Sequence, residues 1–126
     1  MMVGAWVLLN LWQSLFTELF HDEAYYWVFG QHLAWGYAEH APLIAVLIRM
    51  GSEILGGEIG VRIFPVLLNG GAIYLMTLMA QPQRKWLWFL LLFSVFEVHI
   101  GGFFAAPDAP LIFFTTLFFF AYRKYL

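Results

Sequence analysis

Three short stretches carry the side chains that could do chemistry. The first is His21-Asp22-Glu23, opening the run His21-Asp22-Glu23-Ala24-Tyr25-Tyr26-Trp27. A carboxylate here can act as a general base, taking the proton of an acceptor hydroxyl as it attacks a sugar carbon. It can equally organise a divalent cation that neutralises a leaving phosphate. The plain alternative is a helix cap, Asp22, with Glu23 in the first turn. The second stretch is Glu39-His40, just before Pro42. His40 can meet a lipid phosphate as a cation or a metal as neutral imidazole, and otherwise it is part of a polar turn. The third is Asp108, between Pro107 and Pro110, either a functional carboxylate or a cap. Asp22, Glu39 and His40 together offer the oxygen and nitrogen donors that suit a hard or borderline cation.

These residues stand in a chain made mostly for lipid. Of its 126 residues 63% are hydrophobic and 11% charged, against about 25% charged in a soluble domain. So short a chain could not hide its Phe, Leu and Trp in one water-soluble core. Its net charge is -2 and no basic run exceeds two residues, which removes nucleic acid as a partner. There is no cysteine, hence no disulfide, thiolate nucleophile or zinc-thiolate site. The N-terminus is apolar without a preceding Lys or Arg, the pattern of an uncleaved anchor.

The expected fold is all-α: a polytopic membrane protein of about four transmembrane helices, with two interfacial amphipathic helices in the first outer loop. A span needs about 20 apolar residues. The candidates are 2–20, 58–80, 86–102 and 109–122, and the outer loop is 21–57. Within that loop one helix is expected from Glu23 to about Leu33 and a second over Leu43–Leu55, started by Pro42 and closed by Gly56-Gly57. Glu58 and Arg62, four apart, are expected to pair. Pro65 and Gly70-Gly71 permit a bend or close helix contact. Glu97 and His99 would line a polar cavity or pair with each other or with Arg62.

Four of the six basic residues, Arg84, Lys85, Arg123 and Lys124, follow spans two and four. The positive-inside rule puts both places, and the N-terminus, in the cytoplasm. Loop 21–57 and the Ala106-Pro107-Asp108 turn then share the outer face of a plasma membrane. Convergence there makes a site of three motifs that are separately weak. A transporter fragment is the competing reading of intramembrane acids and histidines. Most acids here sit at span ends, against that reading.

In their order, the stretch His21–Trp27, then Trp35-Gly36-Tyr37-Ala38-Glu39-His40-Ala41-Pro42-Leu43-Ile44, Gly60-Val61-Arg62 and Ala106-Pro107-Asp108-Ala109-Pro110-Leu111 resemble the N-terminal part of bacterial GT-C glycosyltransferases. The nearest patterns are the dolichyl-phosphate-mannose protein mannosyltransferase-like family and the aminoarabinose transferases of lipid A. The resemblance implies transfer of a sugar from a polyprenyl-phosphate donor to an acceptor (lipid A, another lipid, a glycan or a protein) at the periplasmic face of the bacterial inner membrane. It implies Asp22 as base or metal-organising carboxylate, with Glu23 in support. Glu39 and His40 would lie near the lipid phosphate or a divalent metal, and Asp108 in the turn between spans three and four. Ala41 replaces the first of two prolines usual in the family. Family members are several times longer, so the chain reads as an N-terminal piece, either active with missing helices supplied or an inactive small subunit.

Overall fold

The computed structural model describes residues 2–125, without the side chains of Phe96, Glu97 and Ile100. The described residues form seven helices and no strand: α1 Met2–Ser14, α2 His21–Gln31, α3 Leu43–Leu55, α4 Gly57–Ala80, α5 Lys85–Ser94, α6 Phe96–Phe103 and α7 Asp108–Arg123. The all-α expectation holds. One of these helices, α4, is long and apolar enough to cross a bilayer.

α4 is the axis of the bundle, touched by α1, α3, α6 and α7. Small residues let its neighbours approach. At the α3–α4 crossing, a Cβ on Gly60 would come within 2.9 Å of the Gly51 carbonyl oxygen. Gly70 lies under Val7 of α1, and Gly71 under the Phe113 ring of α7. Asn69, between these contacts, donates from Nδ2 to the Gly101 carbonyl at 2.9 Å and the Gly102 carbonyl at 3.3 Å. It thereby holds the end of α6 against α4. A buried amide with its donors used is a stable way to fix one helix register inside an apolar bundle.

The bundle has two distinct ends. At one, Arg123 at the end of α7 donates to the Met79 carbonyl near the end of α4. Met2, Gln81 and Lys85 border one cavity at that same end. The other end carries α2, α3, the α3–α4 junction and the start of α7. Gly56 and Gly57, at φ of 64° and 57°, make that junction. Two successive left-handed residues turn the chain from α3 straight into α4, a conformation that costs glycine little.

Several boundaries differ from those expected. α3 keeps the bounds Leu43–Leu55, and α4 begins one residue earlier than expected, at Gly57. The first segment is helical only to Ser14, so α1 is about 20 Å long rather than a full span over 2–20. Its polar groups turn inward: Asn10 and Ser14 are buried and bond to the carbonyls of Trp6 and Asn10. The segment 86–102 is not one helix. It breaks at Val95, which is extended, after Ser94 has turned its hydroxyl onto the Leu91 carbonyl at 2.7 Å. Such local side-chain bonds compete with the helix ladder. α7 is 16 residues, about 24 Å.

The surface is apolar around the bundle. Leu8, Leu9 and Trp12 on α1, Phe16 just beyond it, Leu67 and Leu78 on α4, Leu90 and Leu91 on α5, and Leu111, Phe114, Phe118 and Phe119 on α7 are all exposed. Exposed apolar area spread over four helices is far beyond the patch size of a soluble monomer.

Candidate functional site

The adjacent carboxylates of the first motif part company. α2 begins at His21, not after Asp22, so Asp22 is no cap but sits exposed in the first turn. The capping work falls to Glu23. Its Oε2 accepts from the Phe20 N–H at 3.0 Å, half of a capping box, since Phe20 has no acceptor to return the bond.

Glu23 does more than cap. It is 0% exposed, as is Arg62 of α4. Arg62 Nε donates to Glu23 Oε1 at 2.8 Å and Nη2 to Oε2 at 2.5 Å, a two-pronged pair. Oε1 also accepts from the Ala105 N–H at 2.9 Å. With Phe20, that makes four donors on two oxygens, filling the acceptor capacity of a carboxylate. Arg62 also donates from Nη1 to the Thr17 carbonyl at 2.6 Å and from Nη2 to the Glu18 carbonyl at 2.8 Å, and its guanidinium lies 5.1 Å over the Phe103 ring. The expected Glu58–Arg62 pair is therefore absent: Glu58 is exposed, and Arg62 reaches 39 residues back along the chain. This clamp joins the segment after α1, the start of α2, α4 and the loop leading to Asp108. Glu23, expected in a catalytic role, has no free lone pair for a substrate.

Beside this clamp stands a residue outside the expected set, Tyr26. It lies one turn after Asp22 on the same face of α2. Its hydroxyl stands 3.5 Å from His40 Nε2, and the two rings meet edge to face at 5.1 Å. Burial pushes the Tyr26 hydroxyl above its ordinary value of 10.0, and the negative charges of Asp22, Asp108, Tyr25 and Glu39 push the same way. Tyr26 stays a neutral donor at neutral pH and well into the alkaline range. The Asp22–Tyr26 spacing was the available signal in the sequence; aromatic clustering at a membrane surface masked it.

The loop carrying Glu39 and His40 is folded back by Tyr37. Its ring stacks on Phe29 at 4.1 Å, and its hydroxyl lies 2.9 Å from the Phe29 carbonyl and 3.0 Å from that of His32, while accepting from the Ala34 N–H. These contacts cover the open carbonyls at the end of α2. Asp108 is exposed at the first residue of α7, and Glu39 is exposed on its loop.

Among the described residues no three His, Asp or Glu side chains come close enough to hold a metal ion. Asp22, Glu39 and His40 are not gathered as a ligand set, so no step below is routed through a cation. The Glu97 side chain lies outside the described residues. His99 is exposed beside the Phe93 ring, 6.1 Å away.

No protein-family model, curated protein or solved structure matches the chain.

Proposed function

We propose that the chain is the catalytic membrane module of a glycosyltransferase that moves a sugar from a polyprenyl-phosphate donor to an acceptor hydroxyl at the outer face of a bacterial plasma membrane. The observation that carries this reading is the Tyr26 hydroxyl 3.5 Å from His40 Nε2, one helical turn from the exposed Asp22. These groups stand at the end of the bundle away from Arg123 and Lys85. In this reading α4 crosses the bilayer, and α1, the α5–α6 pair and α7 complete four passes. The basic end faces the cytoplasm, and α2 and α3 lie in the outer interface. The lipid-like surface of the helices supports it.

Asp22 is the general base. It takes the acceptor hydroxyl proton as the acceptor oxygen bonds to the anomeric carbon. The bond from that carbon to the phosphate oxygen breaks, and polyprenyl phosphate leaves with the electron pair. Tyr26, held neutral, donates a hydrogen bond toward the departing phosphate oxygen, and His40 as imidazolium offsets its charge. Glu39 and Asp108 hold the donor sugar through its hydroxyls. Glu23 acts at one remove, by fixing the turn that presents Asp22.

Two experiments test this. In proteoliposomes, transfer from a radiolabelled polyprenyl-phosphate sugar should fall by about two to four orders of magnitude in Asp22→Asn, the usual worth of a general base. Unchanged turnover removes Asp22 from the reaction. Since the chain has no cysteine, Gly36→Cys and Gln83→Cys can be labelled selectively. Gly36→Cys should react with an impermeant maleimide added outside and Gln83→Cys should not; the reverse pattern contradicts the shared outer face.

A further inference from the structure

A cavity of about 610 Å³ with a mixed lining, apolar at Leu19, Trp27 and Val61 and polar at Gln31, Arg49, Glu53 and Glu58, opens on the other flank of α2. Ala24, Trp27 and Gln31 form one stripe of that helix, and Asp22, Tyr26 and Phe29 the opposite one, by the 3.6-residue period. The cavity is closed by α3 and by the Gly56-Gly57 junction, with Glu58 at the start of α4 on its edge. Its volume falls in the range of small-ligand sites, about 300–1,000 Å³.

The lining is arranged in a specific way. Arg49 Nε donates to Glu53 Oε1 at 2.5 Å, and its Nη1 reaches Gln31 Oε1 at 3.4 Å. Glu53 and Glu58 are exposed and keep acceptor sites open. Ser52 Oγ is shielded from solvent and has no hydrogen-bond partner among the described residues. A hydroxyl left so is costly unless something comes to pair with it. Trp27 supplies a half-exposed aromatic face.

The chemistry sorts the occupants. An anion would meet two carboxylates against one guanidinium that is already paired. A hydrocarbon tail would leave the Ser52 hydroxyl unpaired and gain nothing from the Arg49, Gln31, Glu53 and Glu58 side chains around it. A compact polyol with one apolar face fits all of them. Its ring C–H groups lie on Trp27, and its hydroxyls donate to Glu53 and Glu58, accept from Arg49, and exchange bonds with Gln31 and Ser52.

We propose that this cavity is a second site, separate from the Asp22 cluster, that binds a neutral sugar ring. In the transferase reading it would dock the glycan portion of an acceptor; the binding itself does not depend on that reaction.

The test uses the full chain in nanodiscs, prepared without glucoside or maltoside detergents. Methyl β-D-glucopyranoside is added, and saturation transfer from protein to sugar ring protons is followed. A companion set of nanodiscs carries monoglucosyldiacylglycerol instead, to separate a free glycan from a lipid-borne one. Binding to either form, weakened about ten-fold by Trp27→Ala and unchanged in Asp22→Asn, bears the proposal out; ten-fold corresponds to about 1.4 kcal/mol. Glu58→Gln, at an exposed position, should weaken the same signal and guards against misfolding of the tryptophan variant. Binding lost in Asp22→Asn but kept in Trp27→Ala overturns it. So does the absence of any sugar signal, or displacement of the sugar by millimolar ethanolamine. Trp27-dependent binding in a chain without transferase activity would leave this site standing and sink only the reaction.

Discussion

Asp22 and Glu23 are neighbours of nearly the same chemistry, yet they live in opposite environments. Asp22 is exposed in the first turn of α2, one helical turn before Tyr26. Glu23 is buried with four donors on its carboxylate, bonded to Arg62, Phe20 and Ala105. One residue of helix, 100° of rotation, separates them. The difference teaches that an acidic pair at a helix start need not share a task. The inward carboxylate builds the frame, and the outward one is left free for chemistry. The clamp also ties the turn that presents Asp22 to the loop leading to Asp108, because Ala105 precedes Asp108 by three residues and Glu23 follows Asp22 directly.

The largest expected effect breaks the buried side of this pair. Arg62→Met leaves Glu23 buried without its cation and should destabilise the bundle by about 3–5 kcal/mol, read by reversible unfolding in mixed micelles. Pairing it with Glu23→Leu should recover much of that loss, because two buried charges are then removed together. A mild single variant would mean the clamp is not what holds α2 to α4.

Next in size is Asn69→Leu. It removes the bonds to the Gly101 and Gly102 carbonyls, leaves buried acceptors unpaired, and should cost about 1–3 kcal/mol in the same assay. It should disturb α6 and Asp108 while leaving the Glu23–Arg62 pair in place, so it sharpens which part of the frame serves which group.

Smaller again is Tyr26→Phe, on the open side. It deletes one hydroxyl and should change stability by no more than about 1 kcal/mol at neutral pH. The pH dependence is the sharper readout. The Tyr26 hydroxyl is raised in the folded state, so its contribution to stability is complete below the ordinary value of 10.0 and is lost as pH rises through the higher folded value. Wild type should therefore lose stability above pH 10 more steeply than Tyr26→Phe. Ultraviolet titration should show one late-ionising tyrosine that the variant lacks. Equal alkaline profiles would mean the acidic groups do not act on Tyr26.

Much of this was legible where local signals were strong. Pro42 before α3 and Gly56-Gly57 after it fixed that helix to the residue, because both ends are set by backbone chemistry. The run Gly57–Ala80 announced itself by length and apolarity. Asp22, Glu39, His40 and Asp108 could be named as polar groups in a greasy chain. Pairings across distance could not be read. Arg62 has Glu58 four residues away and chose Glu23 instead, because the burial that makes the pair strong is a property of the fold. The break at Ser94-Val95 was hidden in an unbroken apolar stretch, where nothing in hydropathy separates one helix from two. Asn10 and Ser14, polar residues in the first apolar segment, are buried and bond to carbonyls of their own helix, which hydropathy alone does not reveal.

The division of labour between the two carboxylates is tested most directly by measuring the unfolding free energies of Asp22→Asn and Glu23→Gln side by side in the same micelles. Each change removes one negative charge and keeps the shape. The expected result is a loss of about 3 kcal/mol or more for Glu23→Gln, which strands Arg62, and a change within about 0.5 kcal/mol for Asp22→Asn. Equal losses, or a larger loss for Asp22→Asn, would contradict the assignment of Glu23 to the frame and Asp22 to the open site.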